Sequence, residues 1–349
     1  MRIALLSPYA EPVKGGISSY TRELVKAYRE MGLDVLALSR LGGDGAPFES
    51  LGPSRMGFLV RTILRMLAWK PDLVHAHSHW YTLVPGIVAS WLLPHSKLLF
   101  TFHTPSEPGR AGWKDSLFLW LVSRSDGVAF VSGEFMETTG LPRSVNQGVV
   151  WAAPETAIVA RSGGAIGRRD SSIVFVGPLV WPRKVAGVLL LLEAFAQVSP
   201  SFPGWHVVII GDGPRRVEVE RRVRELRIEK SVLLKGFVQD VSPAFTSAGI
   251  YAHISLQEGL PISLLNAMAA GAPVLATAIG GMAEVVEHRV TGYLCAPDLE
   301  SVASGLRTML EDAALRSKVG AMARDRMRRD FVWLKVAERC VALVTKGSV

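Results

Sequence analysis

Short apolar runs alternate with helix-like segments along nearly the whole chain, and this alternation constrains the fold more than any other feature. In the first half the predicted strands are Ile3–Ser7, Asp34–Ser39, Asp72–His77, Leu98–His103 and Gly127–Val131. In the second half they are Ser172–Val176, His206–Gly211, Val232–Gly236, Ile250–Ile254 and Pro273–Thr277. Runs of this length between helices are typical of parallel strands that are buried on both faces. We therefore predict an α/β fold of two doubly wound, Rossmann-like domains.

A stretch from Ala152 to Asp170 separates the two series and contains Pro154, three glycines and Arg168-Arg169, a composition typical of linkers. We place the first domain at residues 1–160, the second at 161–330 and a final helix at 331–349. Parallel sheets of this kind bind ligands at the carboxyl ends of their strands. We therefore expect two domains that face each other across a cleft and share one active site there.

The composition excludes several classes of protein. Only two cysteines are present among 349 residues, which argues against a disulfide scaffold and favours the reducing cytoplasm. Two uncharged stretches, Leu73–Ser96 and Gly259–Ala283, are interrupted by prolines, so we expect no membrane span. The net charge of +8 favours anionic partners, but the arginines are scattered and show no zinc-knuckle or basic-aromatic pattern. We therefore expect no nucleic-acid partner.

The segment Arg55–Lys70 predicts a basic amphipathic helix, for which two interpretations stay open. Its apolar side chains recur at helical spacing beside Arg61 and Arg65. An interfacial helix on an anionic membrane surface has this composition. An ordinary surface helix with one core-facing stripe has it too.

Three short motifs at strand ends carry glycines or cations that suit a bound anion. Gly15 and Gly16 lie between the first strand and the next helix, whose amino-terminal N–H groups attract an anion. Gly211 opens a second such turn, for which a tight turn alone is the alternative explanation. Arg183 and Lys184 follow the first strand of the second half, where cations stabilise a departing nucleotide diphosphate without a metal ion. A solvated basic turn is the alternative there.

The richest stretch begins at Glu258 and joins a strand, a turn and a helix. The turn ends at Pro261, and the predicted helix runs from Ile262 to Ala270. Backbone amides at a helix start bind anions, and a carboxylate at the end of a strand accepts hydrogen bonds from sugar hydroxyls. Asn266, on the same helix, is placed to reach a ribose. The ligand-contacting residues predicted from this stretch are Glu258, Gly259, Leu260, Pro261, Ile262 and Asn266.

These motifs together resemble those of a known family, the retaining family-4 glycosyltransferases of GT-B fold. The family's Glu–x7–Glu motif corresponds to EGLPISLLN, which is followed by AMAAGAPVLAT, by Gly280-Gly281 and by Thr291-Gly292. The first half agrees through GGISSY, DLVHAHS, TFHT and DGVAFVS. The tail FVWLKVAE is similar to the family's last helix, which crosses back to the first domain. Within the family, TFHT and WPRK look closest to phosphatidylinositol mannosyltransferases.

The resemblance implies a role for each matching residue. Lys184 would bind the diphosphate of a nucleotide sugar, with Gly16 beside it. His103 would point toward the anomeric carbon and Glu258 would bind the hexose hydroxyls, so these two are the expected catalytic residues. The backbone of Phe237-Val238 would hold the base. The first domain would then bind the acceptor and the second the donor.

The resemblance also implies the reaction and its setting. Family members transfer a hexose with retention, need no tightly bound metal ion, and use the leaving diphosphate to help deprotonate the acceptor. We therefore expect no cofactor, a GDP- or UDP-linked sugar as donor, and a lipid-linked or polysaccharide acceptor. The expected location is the cytoplasm, at the inner face of the cell membrane, with peripheral contact to anionic lipid.

Two positions depart from the family's pattern. Gly177-Pro178 stands where an arginine that binds the diphosphate is usual, and Asn266 stands where the second glutamate is usual. A neutral amide forms a hydrogen bond about half as strong as that of a charged carboxylate. Two alternatives to an active transferase therefore stay open. One is a catalytically degenerate GT-B protein that binds a sugar or a partner, and the other is a nucleotide-sugar epimerase that would use His103 and Glu258.

The remaining histidines and tryptophans of the first half are interpreted as structural. His75, His77 and His79 alternate, so a strand would place them on one face, as metal ligands are placed. No fourth ligand is apparent, and we predict no metal site. Four tryptophans are expected in the core or in the wall of the cleft: Trp80, Trp91, Trp113 and Trp120.

Overall fold

A computed structural model describes residues 1–13, 15–45, 47–104, 112–162 and 169–345 of the chain. The chain divides into two units: unit 1 comprises Met1–Ala152 and the chain from Val332 onward, and unit 2 comprises Ala153–Phe331. Each unit contains one predominantly parallel sheet whose strands alternate with helices. The predicted class, an α/β chain with two Rossmann-like, doubly wound domains, is confirmed.

Unit 1 is built on an eight-stranded sheet with the order β3-β4-β2-β1-β5-β6-β7-β8, in which only β3 and β4 pair antiparallel. The strands β1 to β8 are Arg2–Tyr9, Asp34–Leu41, Asp44–Gly45, Phe48–Ser50, Leu73–His77, Lys97–Phe102, Gly127–Phe130 and Gln147–Val149. The helices α1 to α5 are Gly16–Glu30, Arg55–Trp69, Trp80–Leu92, Trp113–Val122 and Gly133–Thr138. Residues Ile3 to Leu6 of β1 are fully buried because helices cover both faces of the central strands.

Unit 2 is built on a six-stranded, all-parallel sheet with the order β11-β10-β9-β12-β13-β14. The strands β9 to β14 are Ser172–Val176, His206–Ile210, Val232–Gly236, Ile250–His253, Val274–Thr277 and Tyr293–Cys295. The helices α6 to α13 are Thr156–Arg161, Pro182–Val198, Arg216–Glu225, Ser242–Ser247, Ile262–Ala269, Gly280–Val285, Leu299–Glu311 and Ala313–Asp330. The chain reverses its direction of travel across this sheet between β9 and β12. A crevice forms at such a switch point, outside the carboxyl ends of the strands.

Helix α7 fixes the geometry of that switch point. Its buried residues Val188, Leu191, Leu192 and Phe195 recur at helical spacing and pack in the core of unit 2, where each buried side chain contributes about 2 kcal/mol. Gly187 lies against the end of β12, since an added Cβ would stand 2.1 Å from the carbonyl oxygen of Ile254. The glycine therefore lets α7 approach the strand that leads to the predicted donor motif.

The last helix, α14 (Trp333–Thr345), packs in unit 1 against α1, β6 and β7. The Trp333 ring lies 5.1 Å from the ring of Tyr20 in an edge-to-face arrangement, and Cys340 is fully buried. Unit 1 is therefore assembled from both ends of the chain.

The segment predicted as a linker is only partly irregular. Residues 153–160, which the sequence-based boundary assigned to the first domain, group with unit 2, where α6 packs on α10. Residues 163–168 of this segment lie outside the described residues. The guanidinium of Arg169 donates to the carbonyl oxygens of Phe245, Thr246, Ala248, Ala270 and Gly271. Arg169 is therefore an anchor within unit 2.

The predicted core position of four tryptophans of unit 1 is wrong, whereas their predicted place in a cleft wall stays a prediction. Trp91 and Trp113 are each 73% exposed, and Trp80 and Trp120 are also exposed. On α4, Trp113, Leu117 and Trp120 share the outer face because the inner side chains, such as Phe118, pack on the core.

Helix α2 has the predicted amphipathic form. Its inner stripe of Phe58, Thr62 and Met66 is buried, whereas Met56 and Leu64 are exposed. Within the described parts of the chain, no helix has the length and apolar character needed to cross a membrane.

Candidate functional site

Two charged residues meet at the switch point of the unit 2 sheet. Lys184 lies in the first turn of α7, just after β9, and Glu258 lies in the loop that follows β12. The Nζ atom of Lys184 is 2.8 Å from Oε1 of Glu258, and the two side chains are only 15% and 12% exposed. The fold thus brings together the two residues predicted to bind the diphosphate and the hexose.

The carboxyl group of Glu258 is held in its charged form. Burial alone would raise its pKa, but the charge of Lys184 and a hydrogen bond from His253 outweigh burial and lower the pKa to about 2. Near neutral pH Glu258 is therefore an anion and a pure hydrogen-bond acceptor.

Two buried residues of β12 continue this contact into the core. Nε2 of His253 is 3.1 Å from Oε1 of Glu258, and Nδ1 of His253 is 3.1 Å from the hydroxyl of Tyr251. Burial lowers the pKa of His253, and the nearby charge of Lys184 lowers it further, although Glu258 opposes the shift. The histidine is therefore neutral at physiological pH.

The loop that carries Glu258 is fixed by close backbone packing. Gly280 has φ +50°, and an added Cβ would stand 2.1 Å from the carbonyl oxygen of Glu258. The N–H of Gly281 donates to the carbonyl oxygen of Gly259 at 2.6 Å. This packing explains the Gly280-Gly281 pair in the sequence, because a side chain at residue 280 would displace the Glu258 loop.

Helix α10 begins beside Glu258 without a side-chain cap among the described residues. Its N-cap residue is Pro261, and the N–H groups of Ile262 and Ser263 in the first turn have no acceptor within the helix. Leu260, two residues before the helix, is buried. The helix start therefore presents N–H donors next to the Lys184–Glu258 pair, as the sequence predicts for an anion site.

Asn266 was predicted to reach a ribose, but its side chain is engaged within unit 2. Its Oδ1 accepts a hydrogen bond from the backbone N–H of Glu155 at 2.8 Å, and its Nδ2 donates to Oε1 of Glu155 at 3.1 Å. Asn266 is only 3% exposed because α10 packs on α6 at this point. Both polar atoms of the amide therefore have protein partners.

The other residues predicted for donor binding in unit 2 differ in their surroundings. Gly211 packs on the loop after β9, since an added Cβ would stand 1.9 Å from the carbonyl oxygen of Gly177, and this contact accounts for the glycine without a ligand. Arg183 is exposed, and no side-chain partner appears for it in the described residues. Phe237 follows β11 and is exposed, with Val238 partly buried beside it.

His103 lies just after β6 in unit 1, within a group of aromatic side chains. Its Nε2 is 2.9 Å from Nδ1 of His77, and its ring lies 4.6 Å from that of Tyr20. Burial lowers the pKa of His103 to about 3, and the charge of His79 acts in the same direction. His103 is therefore neutral near pH 7.

Gly15 and Gly16 lie at the start of α1 in unit 1. Both are exposed, and an added Cβ on either would meet no atom within 4 Å. The helix start is therefore accessible to a ligand, as an anion-binding turn requires.

Of the alternating histidines of β5, His75 has a partner at each ring nitrogen, whereas Nε2 of the buried His77 has none among the described residues. Nδ1 of His75 pairs with the hydroxyl of Tyr28 at 2.9 Å, and its Nε2 pairs with that of Thr101 at 2.7 Å. His79 lies beyond the strand and stacks on Tyr81. The described residues contain no group of three or more potential ligands that could hold a metal ion.

His253 and Tyr251 were not among the predicted site residues. The available signal was a histidine and a tyrosine inside a buried apolar strand, five and seven positions before Glu258. Buried polar groups require partners, so such residues point to a nearby acceptor.

Two family models match the chain, one within unit 1 and the other within unit 2. The model described as Glycosyltransferase Family 4 matches residues 14–139, and the model described as Glycosyl transferases group 1 matches residues 170–312. Together the two matches span most of both units.

Full-length relatives agree with these matches. Glycogen synthase of Mycobacterium tuberculosis is 26% identical, with 97% of this chain and 92% of that protein covered. Phosphatidyl-myo-inositol mannosyltransferase of Mycobacterium leprae is 25% identical, with 100% of this chain and 98% of that protein covered.

Solved structures show the same fold. The Anabaena protein HepE in complex with UDP-glucose aligns with a TM-score of 0.80 at 20% identity and covers 99% of both chains. Sucrose-phosphate synthase from Thermosynechococcus elongatus aligns with a TM-score of 0.77 at 21% identity and covers 98% of both chains.

Proposed function

The chain belongs to family 4 of the glycosyltransferases and has the GT-B fold, and we propose that it moves a hexose from a nucleotide-diphosphate sugar to a lipid-linked or polysaccharide acceptor. The proposed transfer proceeds with retention and without a metal ion or other cofactor. The Lys184–Glu258 pair carries this proposal, because it places one cation and one anionic acceptor beside the uncapped start of α10. A diphosphate and a sugar require these groups.

The donor binds in unit 2 in this proposal. Lys184 and the first-turn N–H groups of α10 bind the diphosphate, Glu258 accepts hydrogen bonds from the hexose hydroxyls, and Phe237 with Val238 holds the base. HepE was solved with UDP-glucose, which makes a UDP-linked sugar the first donor to test.

The chemistry follows from the charges of these groups. The bond between the anomeric carbon and the diphosphate oxygen breaks, and an acceptor oxygen bonds to that carbon on the same face of the sugar. The acceptor proton passes to the leaving diphosphate, whose developing charge Lys184 stabilises. His103 is neutral, and its Nδ1 has no partner in the described part of the chain, so it is available to hydrogen-bond a sugar hydroxyl.

The experiment measures turnover of UDP- and GDP-linked hexoses, with and without candidate acceptors. Lys184→Ala is expected to lower kcat/KM for the donor by on the order of 100-fold, because a preorganised charge is lost from the transition state. Lys230→Ala changes a charge at an exposed position of unit 2 and is the matched control.

The outcomes separate the proposal from its rivals. Absence of turnover with every donor, from protein that is folded, contradicts the enzyme and leaves the degenerate binding protein. Release of an epimerised nucleotide sugar without any acceptor identifies an epimerase instead.

We also propose that unit 1 associates with the inner face of the cell membrane through α4. Trp113, Leu117 and Trp120 form an exposed apolar stripe along this helix, and tryptophan favours the interface between lipid and water. Lys114 lies 5.7 Å from the Trp113 ring and Arg124 lies 4.6 Å from that of Trp120, so cations flank the stripe. Such a surface suits anionic lipid and a lipid-linked acceptor.

Sedimentation with vesicles that contain anionic lipid tests this location. The double variant Trp113→Ser/Trp120→Ser is expected to lose most of the bound fraction, whereas Val217→Ser, at an exposed apolar residue of unit 2, is expected to keep it. On α2, Arg65 is already paired with Glu49 at 2.6 Å, so Arg65→Ala should have the smaller effect. Equal binding by the double tryptophan variant and the unaltered protein contradicts the proposal.

A further inference from the structure

His253 occupies an unusual place for a histidine, inside a core strand and in contact with the proposed donor site. Its side chain is fully buried in β12, and the ring of Phe175 lies 5.6 Å away on the neighbouring strand β9. The ring nitrogens reach Glu258 on one side and Tyr251 on the other. An apolar side chain would fill this part of the core without the cost of burying a polar ring.

The charges of the neighbours fix which nitrogen carries the proton. Glu258 is an anion and can only accept, so Nε2 of His253 must be the donor in their 3.1 Å contact. A neutral imidazole has one donor and one acceptor, so Nδ1 accepts from the hydroxyl of Tyr251. The two hydrogen bonds therefore run in one direction: Tyr251 donates to His253, and His253 donates to Glu258.

Both donors that reach Glu258 bind the same oxygen. Lys184 Nζ and His253 Nε2 lie 2.8 Å and 3.1 Å from Oε1. The other oxygen, Oε2, has no partner within the described residues. The two donors on Oε1 fix the orientation of the carboxylate, and the lone pairs of Oε2 point away from these two contacts.

We propose that His253 is a positioning residue of the donor site, which holds Glu258 by Oε1 so that Oε2 receives a hydroxyl of the donor hexose. This inference rests on the proposed function. Lys184 is drawn toward the diphosphate when the donor binds, so His253 is then the contact that keeps the carboxylate oriented. Loss of this contact is expected to weaken binding of the nucleotide sugar and not of the nucleotide diphosphate alone, because Glu258 is not expected to contact the nucleotide.

The experiment compares the affinities of UDP-glucose and UDP by calorimetry, and those of GDP-mannose and GDP. His253→Leu keeps the volume of the core but removes the donor to Glu258. It is expected to weaken binding of the nucleotide sugar by about tenfold relative to the matching nucleotide diphosphate, a change of about 1.4 kcal/mol. His253→Gln restores an N–H donor and is expected to recover most of the preference for the sugar.

Tyr251→Phe provides a second route that does not depend on the folding of the leucine variant. Without the tyrosine hydroxyl the imidazole is free to place its proton on Nδ1, so the preference for the sugar is expected to fall a few-fold. Tyr28→Phe is the matched control, since it removes a buried tyrosine–histidine hydrogen bond from unit 1 instead. That variant is expected to keep the preference.

The possible failures are distinguishable. If the unaltered protein binds neither nucleotide sugars nor nucleotide diphosphates, the proposed function and this inference are both overturned. If the unaltered protein binds the nucleotide sugar but His253→Leu retains the full preference for the sugar, the positioning role alone is overturned. Where the leucine variant does not fold, the same result from Tyr251→Phe overturns it. An equal loss of affinity for UDP and UDP-glucose, with no recovery in His253→Gln, identifies a merely structural histidine and also overturns it.

Discussion

Asn266 and Glu155 form a reciprocal contact in which one side chain satisfies both the backbone and the carboxylate of the other residue. The amide oxygen of Asn266 accepts a hydrogen bond from the backbone N–H of Glu155, and its amide nitrogen donates one to Oε1 of Glu155. Glu155 is the N-cap residue of α6, so this contact joins the start of α6 to the middle of α10. A glutamate at residue 266, as in the family's motif, would instead bring two carboxylates together.

Asn266→Glu is therefore expected to destabilise unit 2 rather than to improve the enzyme. A buried carboxylate that faces a like charge and loses an amide donor should cost roughly 1–3 kcal/mol in the free energy of unfolding. Urea denaturation at pH 7 measures this cost, and donor turnover should not rise. The double variant Glu155→Gln/Asn266→Glu restores a complementary pair and should recover most of the loss. A single variant as stable as the unaltered protein, with higher turnover, contradicts this account.

The residues of the candidate site differ in how far the sequence revealed them. Glu258 and Lys184 were predicted because both follow strands and belong to a motif series, and the structure places them 2.8 Å apart. The partner of Asn266 was hidden, because Glu155 lies 111 residues away and no local pattern links them. His253 lies only five residues before Glu258, but the apolar pattern of β12 predicted a buried strand and not the partners of its histidine and tyrosine.

At the scale of elements, one arginine connects the ends of two helices. Arg169 donates to carbonyl oxygens after α9 and after α10, groups that a helix terminus leaves without intrahelical partners. Burial lowers the pKa of Arg169 to about 10, with a further contribution from Arg324. The planar, five-donor shape of arginine suits several acceptors at once. Helix α10 begins at the proposed donor site, and this contact holds its far end.

Arg169→Ala should lower the free energy of unfolding by roughly 2–4 kcal/mol, since several buried carbonyl groups lose their donor. Arg169→Lys should cost less but still be measurable, because an ammonium cannot span both helix ends. Urea titration measures both. Arg221→Ala removes an exposed ion pair from unit 2 and should change stability by less than about 0.5 kcal/mol. Similar costs at positions 169 and 221 contradict the anchoring role.

Over the whole molecule, buried neutral histidines make stability depend on pH. Burial lowers the pKa of His75 to about 3 and that of His77 well below its usual 6.5, with the charge of another histidine adding to each shift. Below pH 6.5 these two histidines bind protons in the unfolded chain but stay neutral in the folded chain. Their contribution to the free energy of unfolding is therefore fully present above pH 6.5 and is lost as the pH decreases toward 3.

Each of these two histidines should reduce the free energy of unfolding by about 1.4 kcal/mol per pH unit in this range. Guanidinium titrations at pH 7.5, 6 and 5 measure the slope. His75→Gln should lower the slope by the contribution of about one histidine. A stability that is constant from pH 7.5 to 5 contradicts the prediction.

The fold as a whole was predictable because ten apolar runs of strand length define two parallel sheets. The additional strands β3, β4, β8 and β14 span only two or three residues each, too short for a hydrophobic pattern. The outward face of α4 was not predictable either. A helix such as WKDSLFLWLV is apolar nearly all round, so composition does not tell which tryptophans meet the core.

The return of the chain into unit 1 has a consequence for biosynthesis. A ribosome completes β1 to β8 long before it reaches α14, and all of unit 2 is made in between. Until then the surfaces of α1, β6 and β7 that α14 covers, including the ring of Tyr20, stay exposed on the nascent chain. Unit 2 is contiguous in the gene and can mature while still tethered. Unit 1 has to wait for the codons of α14, so a premature stop before them damages the half of the protein that was translated first.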